Sequence, residues 1–243
     1  HFKGSVRPRW LSLHRLRRSQ GSCTTRKGIE AVILYSYYRS TSSYRVRIAL
    51  ELKGIDYTIR PVNLINDGGE HRRSAYLDIN PQGRVPTLFD GPVRVTQSPS
   101  IIEYLEEVVP TPALVSGSPE RRALARSVAA IIGCDIHPLH NVSVLNKLRA
   151  AGHDDEFVSR WIKDWIAEGF TAVEPLIGDS GWALSSIPGL ADVYLIPQIY
   201  AARRFGLDVT GWFPKIARLE LLAEKHPAFQ RAHPSHQIDT PIS

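Results

Sequence analysis

Hydrophobic positions follow two rhythms along this chain, and the change from one to the other divides it. Residues 31–37 are mostly apolar and read as a buried strand. Val46, Ile48, Ala49, Leu50 and Leu52 then recur at mixed spacings of three and four, which predicts a helix over 43–53, stopped by Gly54. The β-branched and aromatic run from Tyr57 to Leu64 predicts a second strand, Asn66-Asp67-Gly68-Gly69 a turn, and residues around 70–78 a helical stretch. Val85–Phe89 and Val93–Val95, separated by Asp90-Gly91, predict a hairpin. Ser98 opens a helix whose period is set by Ile101, Ile102, Tyr104 and Leu105. These elements describe a small mixed sheet with helices on its faces.

From residue 117 onward the period is wholly helical. Ser118-Pro119-Glu120 supplies an N-cap, a proline at the first helical position and an acid in the first turn. Asp154-Asp155 opens a second long helix in which Phe157, Trp161 and Trp165 recur every four residues. A third covers about 190–205 with Pro197 inside it as a kink, and a fourth follows Pro214 and ends before His226-Pro227. The stretch Val108-Val109-Pro110-Thr111-Pro112 reads as a linker, and there are no internal repeats. The fold class is therefore α/β plus all-α, with a basic arm over 1–30, a mixed-sheet domain over 31–109 and a helical domain over 117–243.

Composition narrows the functions open to such a chain. At 43% hydrophobic and 22% charged, its 243 residues can bury a sizeable core. No unbroken apolar run approaches the roughly 20 residues that span a bilayer, so no membrane partner is expected. Cys23 and Cys134 are too few for a disulfide framework or a four-ligand zinc site, and no metal is expected. The net charge of +6 belongs to the first 30 residues, which carry +7, so the remainder sums to −1. Nucleic-acid binding by the folded body is thereby excluded as a reading of the high pI. The arm has the Arg- and Ser-rich, acid-poor composition of a mitochondrial transit peptide, or of a disordered extension; the body is otherwise expected in the cytoplasm.

The stretch Ile33–Leu50 carries the most chemistry. A short strand delivers the hydroxyls of Ser40, Thr41, Ser42 and Ser43 to the start of a basic helix, and a helix N-terminus with free N–H groups is an anion site. By spacing alone, those hydroxyls serve either as ordinary caps or as donors to a bound thiolate or carboxylate.

This stretch resembles the zeta class of the glutathione transferases. So do Val62-Asn63-Leu64-Ile65, Asp67-Gly68-Gly69, Asn80-Pro81, Val85-Pro86-Thr87-Leu88, Gln97-Ser98, Ile101–Glu107, Asn141–Leu145, Leu190-Ala191-Asp192 and Pro197-Gln198. The resemblance covers about residues 32–241. It implies a thioredoxin-like N-terminal domain joined to a helical bundle, glutathione as cofactor, and a homodimer. It also implies the isomerisation of maleylacetoacetate to fumarylacetoacetate in phenylalanine and tyrosine breakdown. The alternatives are a transferase acting on α-haloacids or other small electrophiles, and a silent glutathione-binding protein.

The resemblance also assigns roles. Ser40 is the implied donor to the glutathione thiol, with Thr41 and Ser42 close enough to share the task. Val85 and Pro86 resemble the turn, with a cis proline, whose backbone pairs with the cysteinyl part of glutathione. Gln97 and Ser98, at a helix start, would hold the γ-glutamyl carboxylate, and His71 would reach the glycyl end. His137, Asn141 and Ser143 match positions facing glutathione and the cleft. Arg39, Arg45 and Arg204 are the candidate cations for a small dicarboxylate substrate, Arg45 being also assigned to catalysis. Asp192 matches a helix-capping element, and Cys134 reads as a core thiol. The chain departs from the zeta pattern Ser-Ser-Cys-x-Trp-Arg in having Ser40-Thr41-Ser42-Ser43-Tyr44-Arg45. Any step needing an enzyme–glutathione disulfide at that position is expected to fail.

Overall fold

The computed structural model describes residues 31–241, so the arm of residues 1–30 lies outside the described residues. β1 (Val32–Ser36) leads into α1 (Thr41–Lys53), which returns to β2 (Tyr57–Pro61) parallel to β1. A short helix α2 (Ser74–Leu77) precedes β3 (Thr87–Asp90) and β4 (Val93–Thr96), antiparallel to β1 and to each other, and α3 (Ser98–Val108) closes the unit. The sheet order is β2-β1-β3-β4. Leu34 in β1 sits opposite both Ile59 and Leu88 and is fully buried, as a central strand position requires.

The helical part comprises α4 (Pro119–Ala130), α5 (Val142–Ala150), α6 (Asp155–Val173), α7 (Leu190–Arg204), α8 (Val209–Trp212), α9 (Pro214–Ala223) and α10 (Pro227–Ala232). α1 packs against α3 on one side and against α7 and α10 on the other, so one continuous core joins both parts of the molecule. Val46, Ile48 and Leu50 of α1 are fully buried there, and cutting any of them to alanine would cost about 2–5 kcal/mol.

Two buried polar clusters fix the geometry. Lys53 donates to the carbonyls of Val109 (2.7 Å) and Pro112 (3.1 Å) and pairs with Glu106 at 2.6 Å. Glu106 in turn accepts from the N–H groups of Leu114 and Val115. The linker is thus bolted to α1 and α3 rather than left loose. Arg47, fully buried, donates to Ser36 Oγ (3.1 Å), to the carbonyls of Tyr37 (3.4 Å) and Tyr38 (2.9 Å), and to that of Ala232 in α10 (2.9 Å). Burial lowers its pKa to about 10, which leaves it charged at neutral pH. It holds the turn after β1 in register with the C-terminal helices.

Several elements differ from the pattern reading. α1 begins at Thr41, two residues early, because Ser40 and not a later hydroxyl is the N-cap. β2 stops at Pro61, because the Asn63 side chain caps the N–H groups of Ile65 and Asn66 and turns the chain away. The stretch 70–78 is a short 3-10 turn followed by the four residues of α2. The first long helix breaks after Ala130 into a π turn (Ile131–Ile136) and a 3-10 turn (His137–His140). Pro138 has no N–H to continue the helix, and Asn141 caps a fresh start. Cys134, expected in the core, is exposed. The helical run Pro119–Ala150, interruptions included, holds one 18-residue window long and apolar enough to cross a membrane by composition; 33% of that window is buried within the chain.

Candidate active site

The hydroxyl turn lies at one end of a cleft of about 690 Å³ between the sheet domain and the helices. Ser40 Oγ accepts from the N–H of Ser43 (3.2 Å), the N-cap bond of α1. With one lone pair so engaged, its O–H remains a donor that either Ser42 Oγ or a bound group can accept. Ser42 Oγ lies 3.3 Å from Ser40 Oγ and donates to the Val85 carbonyl at 3.4 Å. Ser40, Thr41 and Ser42 all border the cleft, so an anion there meets hydroxyls and the positive end of a 13-residue helix.

Val85-Pro86 is a cis peptide, and Val85 borders the same cleft. Beneath it a small cavity of about 90 Å³ is bordered by Gln97, Ser98, Pro86 and Asn141. Ser98 is buried at the first position of α3, and Gln97 before it has φ of 70°, a backbone state that non-glycine residues rarely hold. The Gln97 amide donates to Gln82 Oε1. Ser98 brings a backbone N–H and a hydroxyl together at this helix start, a pairing that suits a carboxylate, while Pro99 after it has no N–H.

His71 is held by a cradle that only glycine permits. A Cβ on Gly69, itself at φ of +92°, would lie 2.3 Å from His71 Cε1. His71 Nδ1 is buried without a partner, and burial, then Arg72, lowers the ring's pKa. The ring is therefore neutral at pH 7; its Nδ1 edge packs against Gly69, and the residue borders the cleft.

His137, Asn141 and Ser143 enter from the helical side because of the break after α4. The π turn places Gly133 against the Tyr194 ring, where an added Cβ would come within 3.1 Å. Gly169 of α6 leaves no room beside Ile136, which pins the turn. π turns recur at functional sites because they re-aim side chains in this way. Burial first, then the Arg45 charge, holds the His137 pKa well below the usual histidine range. Burial lowers that of His140 to about 4, and its ring bonds to the Gln198 amide. Both rings are neutral at physiological pH.

Arg39 and Arg204 both border the cleft, one from the turn before α1 and one from the end of α7. Burial, then the charge of Arg39, lowers the Arg204 pKa, which places the two guanidiniums within electrostatic reach. Arg45 is placed elsewhere. It is fully buried, its Cζ lies 4.6 Å over the Tyr194 ring, and it borders the small cavity rather than the cleft. Its Nε and Nη2 have no partner, so it supplies charge from beneath and makes no cleft-facing contact.

Two contributors were not legible in advance. Arg84, two residues before the cis proline, borders the cleft and donates to Ser143 Oγ across it at 3.3 Å. Arg47 positions the catalytic turn from behind. An arginine beside a Gly and a Val-Pro was the available signal for the first; nothing in the pattern marked the second. No Asp or Glu borders the cleft, and no metal-binding cluster of His, Cys, Asp or Glu exists among the described residues. Asp192 is structural: it accepts from the N–H groups of Ala183 and Gly189, both at 2.9 Å.

A thioredoxin-like sheet with a cis proline, joined to an all-helical domain across a basic cleft, defines a glutathione-transferase fold. Comparison with known proteins carries this further. The glutathione S-transferase N-terminal domain family matches residues 39–108. The chain is 64% identical over 211 residues to the maleylacetoacetate isomerase of Pseudomonas aeruginosa, covering 86% of this chain and 99% of that protein. It superimposes on a bacterial zeta-class maleylpyruvate isomerase with a TM-score of 0.82 at 41% identity, covering 86% and 100% of the two chains. It does so with a TM-score of 0.80 at 34% identity on a maleylacetoacetate isomerase of Methylobacterium extorquens solved with malonate and glutathione bound, again covering 86% and 100%. The chain belongs to the zeta-class glutathione transferases, the family of the maleylacetoacetate isomerases.

Proposed function

We propose that this chain is a glutathione-dependent cis–trans isomerase that converts maleylacetoacetate to fumarylacetoacetate. The observation that carries the reading is the meeting, in one cleft that no Asp or Glu borders among the described residues, of the Ser40 hydroxyl at a helix N-terminus with Arg39 and Arg204.

The residues fit glutathione as a group. Ser98 and the strained Gln97 suit a carboxylate, the Val85 backbone beside the cis proline suits a peptide, and His71 at the border of the cleft suits the far end of the tripeptide. The chemistry supplied with glutathione is reversible thiolate addition across a conjugated cis double bond, during which that bond is single and free to turn.

The protein's part is electrostatic. A free thiol has a pKa of about 8.5 and is mostly protonated at neutral pH. Ser40, donating from the N-cap, and the α1 N-terminus favour the charged form, with Ser42 and Thr41 beside them. Arg39 and Arg204 hold the substrate's carboxylates and stabilise negative charge that develops on its carbonyl oxygens, and the absence of acids leaves that field uncancelled. His137 and His140, neutral, line the cleft without titrating during turnover at physiological pH. The reading includes a homodimer acting in the cytoplasm in aromatic amino-acid breakdown. Sedimentation of the purified chain tests the homodimer.

The deciding experiment follows maleylacetoacetate with and without glutathione. Turnover that requires glutathione and does not consume it is the expected result. Glutathione consumption with halide release from α-haloacids, and no isomerisation, would replace this reading with the transferase one. Glutathione binding without any turnover would make the chain a binding protein.

A further inference from the structure

A second cavity, of about 530 Å³, shares no lining residue with the cleft. That volume falls within the range of small-molecule sites, about 300–1,000 Å³. α1 reaches it through Tyr44, α7 through Ile196, Ile199 and Tyr200, and α10 through Phe229. The rings of Tyr44, Tyr200 and His233 meet at near right angles (88°, 90° and 88°), with centroids 5.6–6.2 Å apart. They form one aromatic wall.

The other wall is acidic. Glu220 of α9 and Glu224 just after it border the cavity, and among the described residues no lysine or arginine does. Both bonds that Arg203 makes to Glu220 land on the single oxygen Oε2, at 3.1 and 2.9 Å. The Glu224 side chain enters no hydrogen bond or ion pair among the described residues, and Glu224 is exposed. Arg47, whose Cζ lies 5.2 Å over the Tyr44 ring, is the nearby buried cation, and its guanidinium is spent on backbone carbonyls and Ser36. Burial, then His236 and Arg47, lowers the His233 pKa against the pull of Glu224, so that ring adds no positive charge at neutral pH. Aromatic rings and carboxylates around an apolar space favour one ligand class, because ring faces and negative charge both attract cations while the apolar lining accepts a hydrocarbon body.

We propose that this cavity binds a small organic cation with an apolar body, an aryl- or alkylammonium, independently of the catalytic cleft. The probe is benzyltrimethylammonium, titrated into the full chain by calorimetry, with benzyl alcohol and phenylacetate as its neutral and anionic counterparts. The cation should bind at one saturable site, at least about tenfold more tightly than either counterpart, a difference of about 1.4 kcal/mol. Glu220→Gln combined with Glu224→Gln should weaken it by about tenfold or more, and Tyr200→Leu several-fold, with isomerase turnover retained in both. S-hexylglutathione, directed to the cleft, should leave the affinity unchanged. Equal binding of the three probes, unchanged affinity in the double glutamine variant, or displacement by S-hexylglutathione would each overturn the proposal. None of these outcomes depends on the isomerase assay, so the two readings fail separately.

Discussion

The molecule holds two cavities of similar size and opposite character, and α1 borders both. Its N-terminal hydroxyls Ser40, Thr41 and Ser42 open onto a cleft that carries Arg39, Arg72, Arg84 and Arg204 and, among the described residues, no acid. Tyr44, two residues after Ser42, opens onto a cavity that carries Glu220 and Glu224 and, among the described residues, no arginine or lysine. A helix dipole is the same from either side, so the dipole alone does not decide what binds. The side chains that the sheet turn, the α4–α5 break and α9 bring to each face decide it. The comparison teaches that anion chemistry in the cleft rests on excluded carboxylates as much as on the donors present.

The first way to break the comparison is to remove the donor that marks the cleft. Ser40→Ala should lower isomerase turnover by about 10²–10³-fold, the cost of one preorganised donor to developing charge, while loss of the cap bond costs only about 1 kcal/mol of stability. Steady-state kinetics beside thermal melting separate the two effects, and cation binding in the second cavity should not change.

Asp192→Ala attacks what the cavities share, since α7 supplies Arg204 to one and Tyr200 to the other. Two N–H groups, those of Gly189 and Ala183, lose their acceptor, which should cost about 2–4 kcal/mol in denaturant unfolding. If only one cavity lost function, the assignment of Asp192 to structure would be wrong.

Arg204→Ala should raise KM for the dicarboxylate by about 10–100-fold, the worth of a charge-assisted bond, and leave the cation site untouched. A pH series adds a smaller effect. The folded-state pKa of His140 is lowered to about 4, from an unfolded value of about 6.5. The stability it contributes is therefore fully present above pH 6.5 and lost as pH falls toward 4. Between pH 7 and 5 the loss is about 2 kcal/mol, and His140→Gln should remove it from the unfolding profile. Least of all, Ser42→Cys should leave isomerisation within about threefold, because the nucleophilic thiol comes with glutathione. Incubation of that variant with glutathione disulfide should give a mixed disulfide visible by mass; the native chain should give none at this position.

Much of this was legible from the pattern of the chain. The alternation of strand and helix through residue 108 and the wholly helical remainder appear as the spacing of Val46, Ile48 and Leu50 or of Ile101 and Leu105 requires. The Ser118 cap and the Asp154 cap were readable because capping is local chemistry. What was not legible depends on contacts distant in sequence. The π turn at Ile131–Ile136 is pinned by Gly169, more than thirty residues away, and its local pattern is simply helical. Arg45 and Arg47 alternate on one helix with the same chemistry. Only the packing of α7 and α10 shows that one is orphaned beside a small cavity and the other spent on four acceptors. Arg84 becomes a cleft residue only because the turn at Val85-Pro86 carries it to Ser143.

The most direct test of the account is the pKa of the glutathione thiol while bound, followed by thiolate absorbance in the ultraviolet across a pH series in the native chain and in Ser40→Ala. The account predicts a value about one to two units below the free thiol in the native chain and a return toward about 8.5 in the variant. A bound thiol that titrates like the free one in the native chain, or a lowered value that survives Ser40→Ala, would contradict it.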